Sequence, residues 1–277
     1  MKRVMLLILT LAMVLSLCAC GSASSAASAY KLAGERKGQE FTVGDYKIKV
    51  FDDTKDVAIV RYDGKETAVT VPAELDGYPV TIIAESAFIY SGASIETIKL
   101  PDSVTAIEAS AFSGLKNLKA FTFPAGVTYI GEKAFYNCSS LSTLAFPEGF
   151  TKIPASVCSQ CSALETVTLP ASVQVIEEKA FSGCPLKSIS LPEGLTKIAK
   201  DAFFGNALTE VVLPSTLKEL GENAFSSSNK TMQKIVIPES VKTIGDHAIP
   251  SSAEINCAEG SAAYKYAKDR NIKYRLT

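Results

Sequence analysis

The segment Val127–Gly149, VTYIGEKAFYNCSSLSTLAFPEG, is one copy of a unit that fills most of the chain. It follows VTAIEASAFSGLKNLKAFTFPAG and precedes FTKIPASVCSQCSALETVTLPAS, VQVIEEKAFSGCPLKSISLPEG and LTKIAKDAFFGNALTEVVLPST. A period in the low twenties leaves few folds open, because a unit this short cannot bury its apolar side chains without a stacked neighbour. Two markers keep the period. Ala-Phe recurs at Phe88, Phe112, Phe135, Phe181, Phe203 and Phe225, with Cys158 and Ile249 in the slots where phenylalanine is absent. Proline recurs at Pro101, Pro124, Pro147, Pro170, Pro192, Pro214 and Pro238. The steady offset between the markers predicts a solenoid of stacked coils.

Each coil reads as two extended sides and a tight corner. In Leu118–Phe123 the rings of Phe121 and Phe123 alternate with Ala120 and Thr122, the period of a strand with one face in the core. Proline then stops the ladder, since it has no amide to donate. Phe123-Pro124-Ala125-Gly126 has proline and glycine at the second and fourth places of a type I turn. Val127–Ile130 begins a second extended piece, and Glu132–Cys138 holds one helical or 3₁₀ turn with Phe135 inward. Residues 35–79 have a different texture. Phe41–Val43, Tyr46–Val50, Val57–Val60 and Val69–Pro72, split by Gly-Asp and Asp-rich turns, predict a small antiparallel meander that caps the first coil. Asp52, Asp53 and Asp56 lack the spacing of a calcium loop and read as a solvated turn.

The motifs V-T-x-I-G, A-F, C-x-x-L and I-x-I-P resemble the BspA-type leucine-rich repeats of bacterial and protist surface proteins, over Val80 to about Ile249. The resemblance implies a β-rich α/β fold: a right-handed leucine-rich-repeat solenoid of stacked short parallel strands with short helical or 3₁₀ turns. Residues 80–249 then form the solenoid between the β-rich N-terminal cap at 35–79 and a helix-strand C-terminal cap at 250–277, where Gly260–Ala267 and Asn271–Tyr274 look like that family's closing elements.

At the other end, Lys2 and Arg3 precede an apolar run from Val4 to Leu17, too short to span a bilayer and shaped like an export signal. Leu17-Cys18-Ala19-Cys20 resembles the lipobox of bacterial lipoproteins, which implies cleavage after residue 19, acylation of Cys20 and membrane attachment through that lipid. The stretch SASSAASA within 20–34 reads as a flexible tether. Removing Lys2 and Arg3 leaves 26 basic against 29 acidic residues, with no basic run. Nucleic acid is therefore not an expected partner.

Chemistry is sparse. Cys138, Cys161 and Cys184 share one place in successive coils and read as an inward column, whereas Cys158–Cys161 has C-x-x-C spacing without a second pair or a histidine beside it. His247, the single histidine, sits where other coils carry water-facing Lys, Ser or Asn. No nucleophile elbow, phosphate loop or zinc-protease motif occurs, so no enzyme activity, cofactor or metal is expected. In the coil where Cys158 replaces phenylalanine, Phe150 replaces the usual Val or Leu, which predicts that its ring fills the space left at 158. The outward positions of the first strand are Thr97, Ala120, Thr143, Thr166, Ser188, Glu210 and Lys234, beside Lys99, Thr122, Ala145, Thr168, Ser190, Val212 and Val236. Of these, Thr97, Lys99, Thr122, Thr143, Thr166, Thr168, Ser188 and Ser190 form a hydroxyl-rich candidate face for a protein or glycan partner. The expected function is adhesion or recognition by an extracytoplasmic lipoprotein. A structural or solute-capturing envelope lipoprotein is the alternative, and an enzyme such as a surface glycosidase comes third.

Overall fold

The computed structural model describes residues 32–91, 94–226 and 231–277, so Cys20 and the export signal lie outside the described residues. In chain order the elements are β1 (Gly38–Val43), β2 (Tyr46–Phe51), β3 (Val57–Tyr62), β4 (Ala68–Thr70), β5 (Glu74–Leu75), β6 (Tyr78–Ile83), β7 (Thr97–Lys99), β8 (Ala106–Ile107), β9 (Tyr129–Ile130), β10 (Thr143–Ala145), β11 (Lys152–Ile153), β12 (Thr166–Thr168), β13 (Val175–Ile176), β14 (Lys197–Ile198), β15 (Glu210–Val212), β16 (Glu219–Leu220), β17 (Lys234–Val236), β18 (Thr243–Ile244), β19 (Glu254–Cys257), the helix α1 (Ala262–Asp269) and β20 (Tyr274–Leu276). Strands β1, β2 and β3 pair antiparallel, and from β3 onward the coils stack in parallel. Each coil sends one short strand to a first wall, as in β7, β10 and β12, and another to a second wall, as in β13, β14 and β16. Val69, read from the sequence as part of the meander, lies instead in β4, which is paired in parallel with β7 in the first wall.

The corner between the walls is the regular part of every coil. Ser110, Phe112 and Gly114 donate their amides to Glu132, Ala134 and Tyr136 of the next coil at 2.9, 2.9 and 2.8 Å. The amides in between turn back on their own coil: Ala111 bonds to Glu108, Ser113 to Ser110 and Leu115 to Phe112, at 3.3, 3.0 and 3.4 Å. Half of the one helical or 3₁₀ turn expected here is therefore present, as bonds of 3₁₀ type; the other half of the donors reach across to the neighbour. The alternation requires backbone dihedrals that no helix has. Ser86, Ser110, Lys133, Ser156, Lys179, Asp201, Asn223 and His247, each just ahead of the Ala-Phe slot, all have positive φ between 52° and 58°.

The proline turns also differ from expectation. Val104, Val127, Val173, Leu195, Leu217 and Val241 donate to the carbonyl of the proline three residues earlier, at 3.0 to 3.2 Å. Proline is thus the first residue of the turn, one place earlier than its pairing with glycine implied; its carbonyl closes the turn and its missing amide costs nothing there.

Inside, the slot residues queue along one spine. Phe88, Phe112, Phe135, Phe181, Phe203 and Phe225 are all buried, and successive centroids stand 5.2, 5.4, 5.5 and 5.1 Å apart for the pairs 88–112, 112–135, 181–203 and 203–225. Tyr46 and Tyr62 extend the row into the N-terminal strands. At Cys158 the row is interrupted, and the bridging ring is Phe146, 5.8 Å from Phe123 and 6.2 Å from Phe181. The ring of Phe150 packs against the core, on the side the expected exchange of volume requires, but the core does not enclose it. Its aliphatic counterparts Val127, Val173 and Leu195 are buried, but Phe150 is only partly so. Gly149 there takes φ +88°, and Phe150 forms no turn bond to Pro147.

The positive-φ column sets a stability test at Lys133, whose side chain is exposed. The left-handed region costs an L-residue about 1–2 kcal/mol, and a β-branched side chain more. Lys133→Val is expected to destabilise by at least ~1 kcal/mol, and Lys133→Gly to be neutral or stabilising by up to ~1 kcal/mol, by chemical denaturation. Equal stability of the two variants would show that the corner does not depend on this backbone geometry.

Candidate functional site

The first wall places its outward residues as strand alternation dictates. Thr97 and Lys99 lie in β7, Thr143 in β10, and Thr166 and Thr168 in β12, all exposed on either side of buried Ile98, Leu144 and Val167. Register is direct: Thr97 opposes Ala120, Ala120 opposes Thr143, Thr143 opposes Thr166, and Ala145 opposes Thr168. Thr122 is exposed beside this row, just outside a strand. The result is a strip of hydroxyl and methyl groups with Lys99 as its one charge, continued toward the N-terminus by Ala68 and Thr70 of β4. Cross-coil ion pairs flank it, Glu96 with Lys119 at 2.6 Å and Glu165 with Lys187 at 2.7 Å.

The strip does not run the length of the wall. Ser188 and Ser190 are exposed but belong to no strand, and no backbone hydrogen bond joins residues 187–190 to Thr166–Thr168 or to β15. The break coincides with a change in the sequence: Cys161-Ser162-Ala163-Leu164 becomes Cys184-Pro185-Leu186, one residue fewer between corner and strand and a proline in the link. Beyond this break the wall changes character. Glu210, Lys234 and Glu254 oppose one another in β15, β17 and β19, with Val212 beside Val236. The eight candidate residues thus divide into six on one continuous patch and two, Ser188 and Ser190, at its broken border.

A second break lies in the other wall. No backbone hydrogen bond connects Thr128 or Ile130 to Thr151–Ile153, and Pro154, which has no amide, occupies the place from which Gly131 donates to Ile107 at 2.8 Å. The threonines that are ordered there serve the stack. Thr128 Oγ1 and Thr196 Oγ1 donate to Thr105 O and Gln174 O of the preceding coils, at 3.3 and 3.0 Å.

The cysteines are internal. Cys138, Cys161 and Cys184 donate to the carbonyls of Phe112, Phe135 and Cys158 two slots back, at 3.2, 3.1 and 3.1 Å, and Asn206 Nδ2 does the same to Phe181 O at 2.9 Å. This ladder ties the spine to the coil that follows it. Cys138, Cys158, Cys161, Cys184 and Cys257 are free and buried. Burial pushes the Cys138, Cys158, Cys184 and Cys257 thiols up, away from the reactive thiolate. His247 is exposed at the corner in the left-handed region. Carboxylates with displaced affinity are displaced downward by cations: Asp53 by a hydrogen bond from Arg36, Glu178 by one from Lys179 and Glu254 by one from Lys273. Arg36 gathers Asp53 and Asp56, at 2.8 and 3.3 Å. Among the described residues no group of His, Cys, Asp or Glu is placed to hold a metal, and no helix is long and apolar enough to cross a membrane.

A family model described as BspA type leucine-rich repeat region matches residues 81–207 and 151–269, in six copies. The crystal structure of a leucine-rich cell surface protein from Faecalibacterium prausnitzii is similar at 25% identity and a TM-score of 0.56, over 79% of this chain and 76% of that one. A leucine-rich repeat protein from Bacteroides ovatus is similar at 19% identity and a TM-score of 0.57, over 86% of this chain and 76% of that one. Among proteins with curated functions, none matches.

The buried thiols lead to a pH prediction. Their folded affinity for the proton exceeds the unfolded one, so the stability they contribute is complete below the unfolded value near pH 8.5 and is lost as pH rises above it. Each suppressed thiol should remove about 1.4 kcal/mol per pH unit in that range. Denaturation midpoints between pH 7 and 10 should fall more steeply for this chain than for its Cys138→Ala, Cys184→Ala variant. Mapping by mass spectrometry should find both thiols unmodified by iodoacetamide until the chain unfolds. Rapid labelling in the folded state would mean that the column is open to solvent.

Proposed function

The chain belongs to the BspA-type leucine-rich repeat family, and from that premise we propose that it is an extracytoplasmic lipoprotein, attached at Cys20, that recognises a protein or glycan partner by the hydroxyl-rich patch of its first wall. The observation that carries the reading is the in-register row Thr97, Ala120, Thr143 and Thr166, exposed and uncharged between ion pairs that frame it. Hydroxyls in register at the strand spacing of about 4.8 Å offer donors and acceptors in a fixed grid without desolvating a charge on contact. Neutral, flat and small-residue surfaces suit either a polypeptide face or a sugar chain, whose own hydroxyls have the same dual character.

Two further facts support the reading. The Faecalibacterium relative is described as a cell surface protein, in keeping with the export signal and the lipobox-like Leu17–Cys20 of this chain. The thiols and the displaced carboxylates are those of a scaffold: thiols raised by burial, acids lowered by salt bridges, neither poised for proton transfer near neutrality. Recognition without catalysis follows as the simplest use of this surface.

The soluble form from Ser22 onward, immobilised and exposed to matrix proteins, neighbouring-cell surface proteins and a glycan array, should capture a partner that a Thr143→Lys, Thr166→Lys, Thr168→Lys variant captures at least tenfold less well. Because all three side chains are exposed, the variant should unfold within about 1.5 kcal/mol of the parent, from surface substitutions of up to ~0.5 kcal/mol each. Undiminished capture by the variant would place recognition on another surface.

A further inference from the structure

The two walls end differently. The first continues past its last repeat strand, β17, into β19 and β20. The second stops at β18. In the coils just before it two carbonyls receive amides from the coil that follows: Thr196 O from Lys218 at 2.8 Å and Ile198 O from Gly221 at 2.8 Å, then Lys218 O from Lys242 at 2.9 Å and Leu220 O from Gly245 at 2.8 Å. Lys242 O, just before β18, and Ile244 O within it hold the same two places and receive no hydrogen bond among the described residues. Parallel pairing directs alternate residues to opposite edges, so the amide of Ile244 also faces away from β16. Beside this edge lies α1, whose backbone amides are consumed by the helix and cannot satisfy a sheet edge.

Between β18 and α1 lies a groove of about 510 Å³. Ile244, Ala262 and Tyr266 give it an apolar lining, and Lys242, Lys265 and Arg270 give it a basic one, with Asp269 the acidic residue among them. Lys265 is exposed and has no ion pair among the described residues; Lys242 Nζ reaches only the carbonyl of Glu239, at 2.8 Å. Arg270 pairs with Asp246 and lies with its guanidinium 4.9 Å from the centre of the Tyr266 ring. Lys218, exposed, is the residue stacked on Lys242 in the preceding coil, so the positive strip continues along the wall.

We propose that this groove takes one extended acidic segment of a partner protein, which adds to β18 as a further strand. The main chain of such a segment would meet Ile244 N–H, Ile244 O and Lys242 O, the three groups that the solenoid prepares for a neighbour and then leaves open. Its alternate side chains would fall into two classes. Apolar ones would lie against Ala262 and Tyr266, and carboxylates would meet Lys242 and Lys265 at the rim. The local charge runs against the net charge of the whole chain, which is -1. An acidic strand is thereby favoured here over a neutral or basic one. The site is separate from the hydroxyl-rich patch of the first wall, and the two proposals fail independently.

The test uses the full chain and a fluorescein-labelled alternating Val-Glu octapeptide, followed by anisotropy. Binding should saturate, weaken as salt is raised, and fall at least tenfold in a Lys242→Glu, Lys265→Glu variant that melts as the parent does. The same variant should gain affinity for the matching Val-Lys octapeptide. A Val-Glu peptide N-methylated at alternate residues, which cannot pair along one edge, should bind at least tenfold more weakly than its parent peptide. Three results would each overturn the proposal: no binding of the Val-Glu peptide, equal binding by the double-Glu variant, or equal binding of the N-methylated peptide. A concentration-dependent dimer in sedimentation velocity that the double-Glu variant abolishes would also overturn it, since a second copy would then occupy the edge.

Discussion

Every coil depends on a corner in which amide donors alternate between the coil itself and its neighbour. A short turn that bonded only to itself would leave coils stacked by apolar contact alone, free to slide by a residue or to twist apart. With each second donor sent across, as from Lys133, Phe135 and Asn137 to Ala155, Val157 and Ser159 at 3.1, 2.9 and 2.9 Å, the register of neighbouring coils is set by the backbone. The wall strands carry bonds of both senses, from the later coil to the earlier as in Gly221 to Ile198, and from the earlier to the later as in Phe146 to Thr168. The corner ladder runs in one sense only, from each coil to the one that follows. The stack is held in both directions without either end accumulating all the unpaired donors.

The apolar spine and the corner support each other. The phenylalanine in each slot also supplies one of the amides that cross to the next coil, so ring packing and backbone pairing are achieved by one residue. That coupling explains how Cys158 can occupy a slot. Its amide still bonds to Ala180 at 3.0 Å, and the missing ring is bridged from the strand by Phe146. The thiol column adds a third link, because each Cys Sγ donates to the slot carbonyl of the preceding coil, which also accepts an amide from its own coil.

Much of this was legible in the residues and some was not, for physical reasons. The slot, the proline marker and the outward row announce themselves because burial and the strand period restrict side-chain type at those places. Positive φ restricts it only loosely. Ser, Lys, Asp, Asn and His precede the slot, a set alike only in being polar and unbranched, and that shared absence of Val, Ile and Thr was the available signal. The outward exposure of the row from Thr97 to Thr168 follows from strand alternation, whereas its length does not, and Pro185 marks where the wall is interrupted. Pro154 likewise announces the break in the second wall, once it is seen that this position donates in other coils. The basic groove had no local signature at all, because Lys242, Lys265 and Arg270 meet only when α1 folds back on β18.

The two breaks also show which part of the coil is free to change. Both fall in the walls, one at Pro154 and one at residues 187–190, while the corner ladder passes both places intact: Lys133 to Ala155 across the first, and Ser156 to Glu178 and Lys179 to Lys200 on either side of the second. A wall strand of two or three residues contributes few bonds, and its outward side chains contact nothing that the core requires. The corner has no such latitude, because its donors, its left-handed residue and its slot ring all come from the same few positions. Surface chemistry can therefore vary along the walls, hydroxyl in one stretch and ionic in the next, without loosening the stack. In a solenoid built this way recognition is a property of the walls and their open edges, and stability a property of the corner.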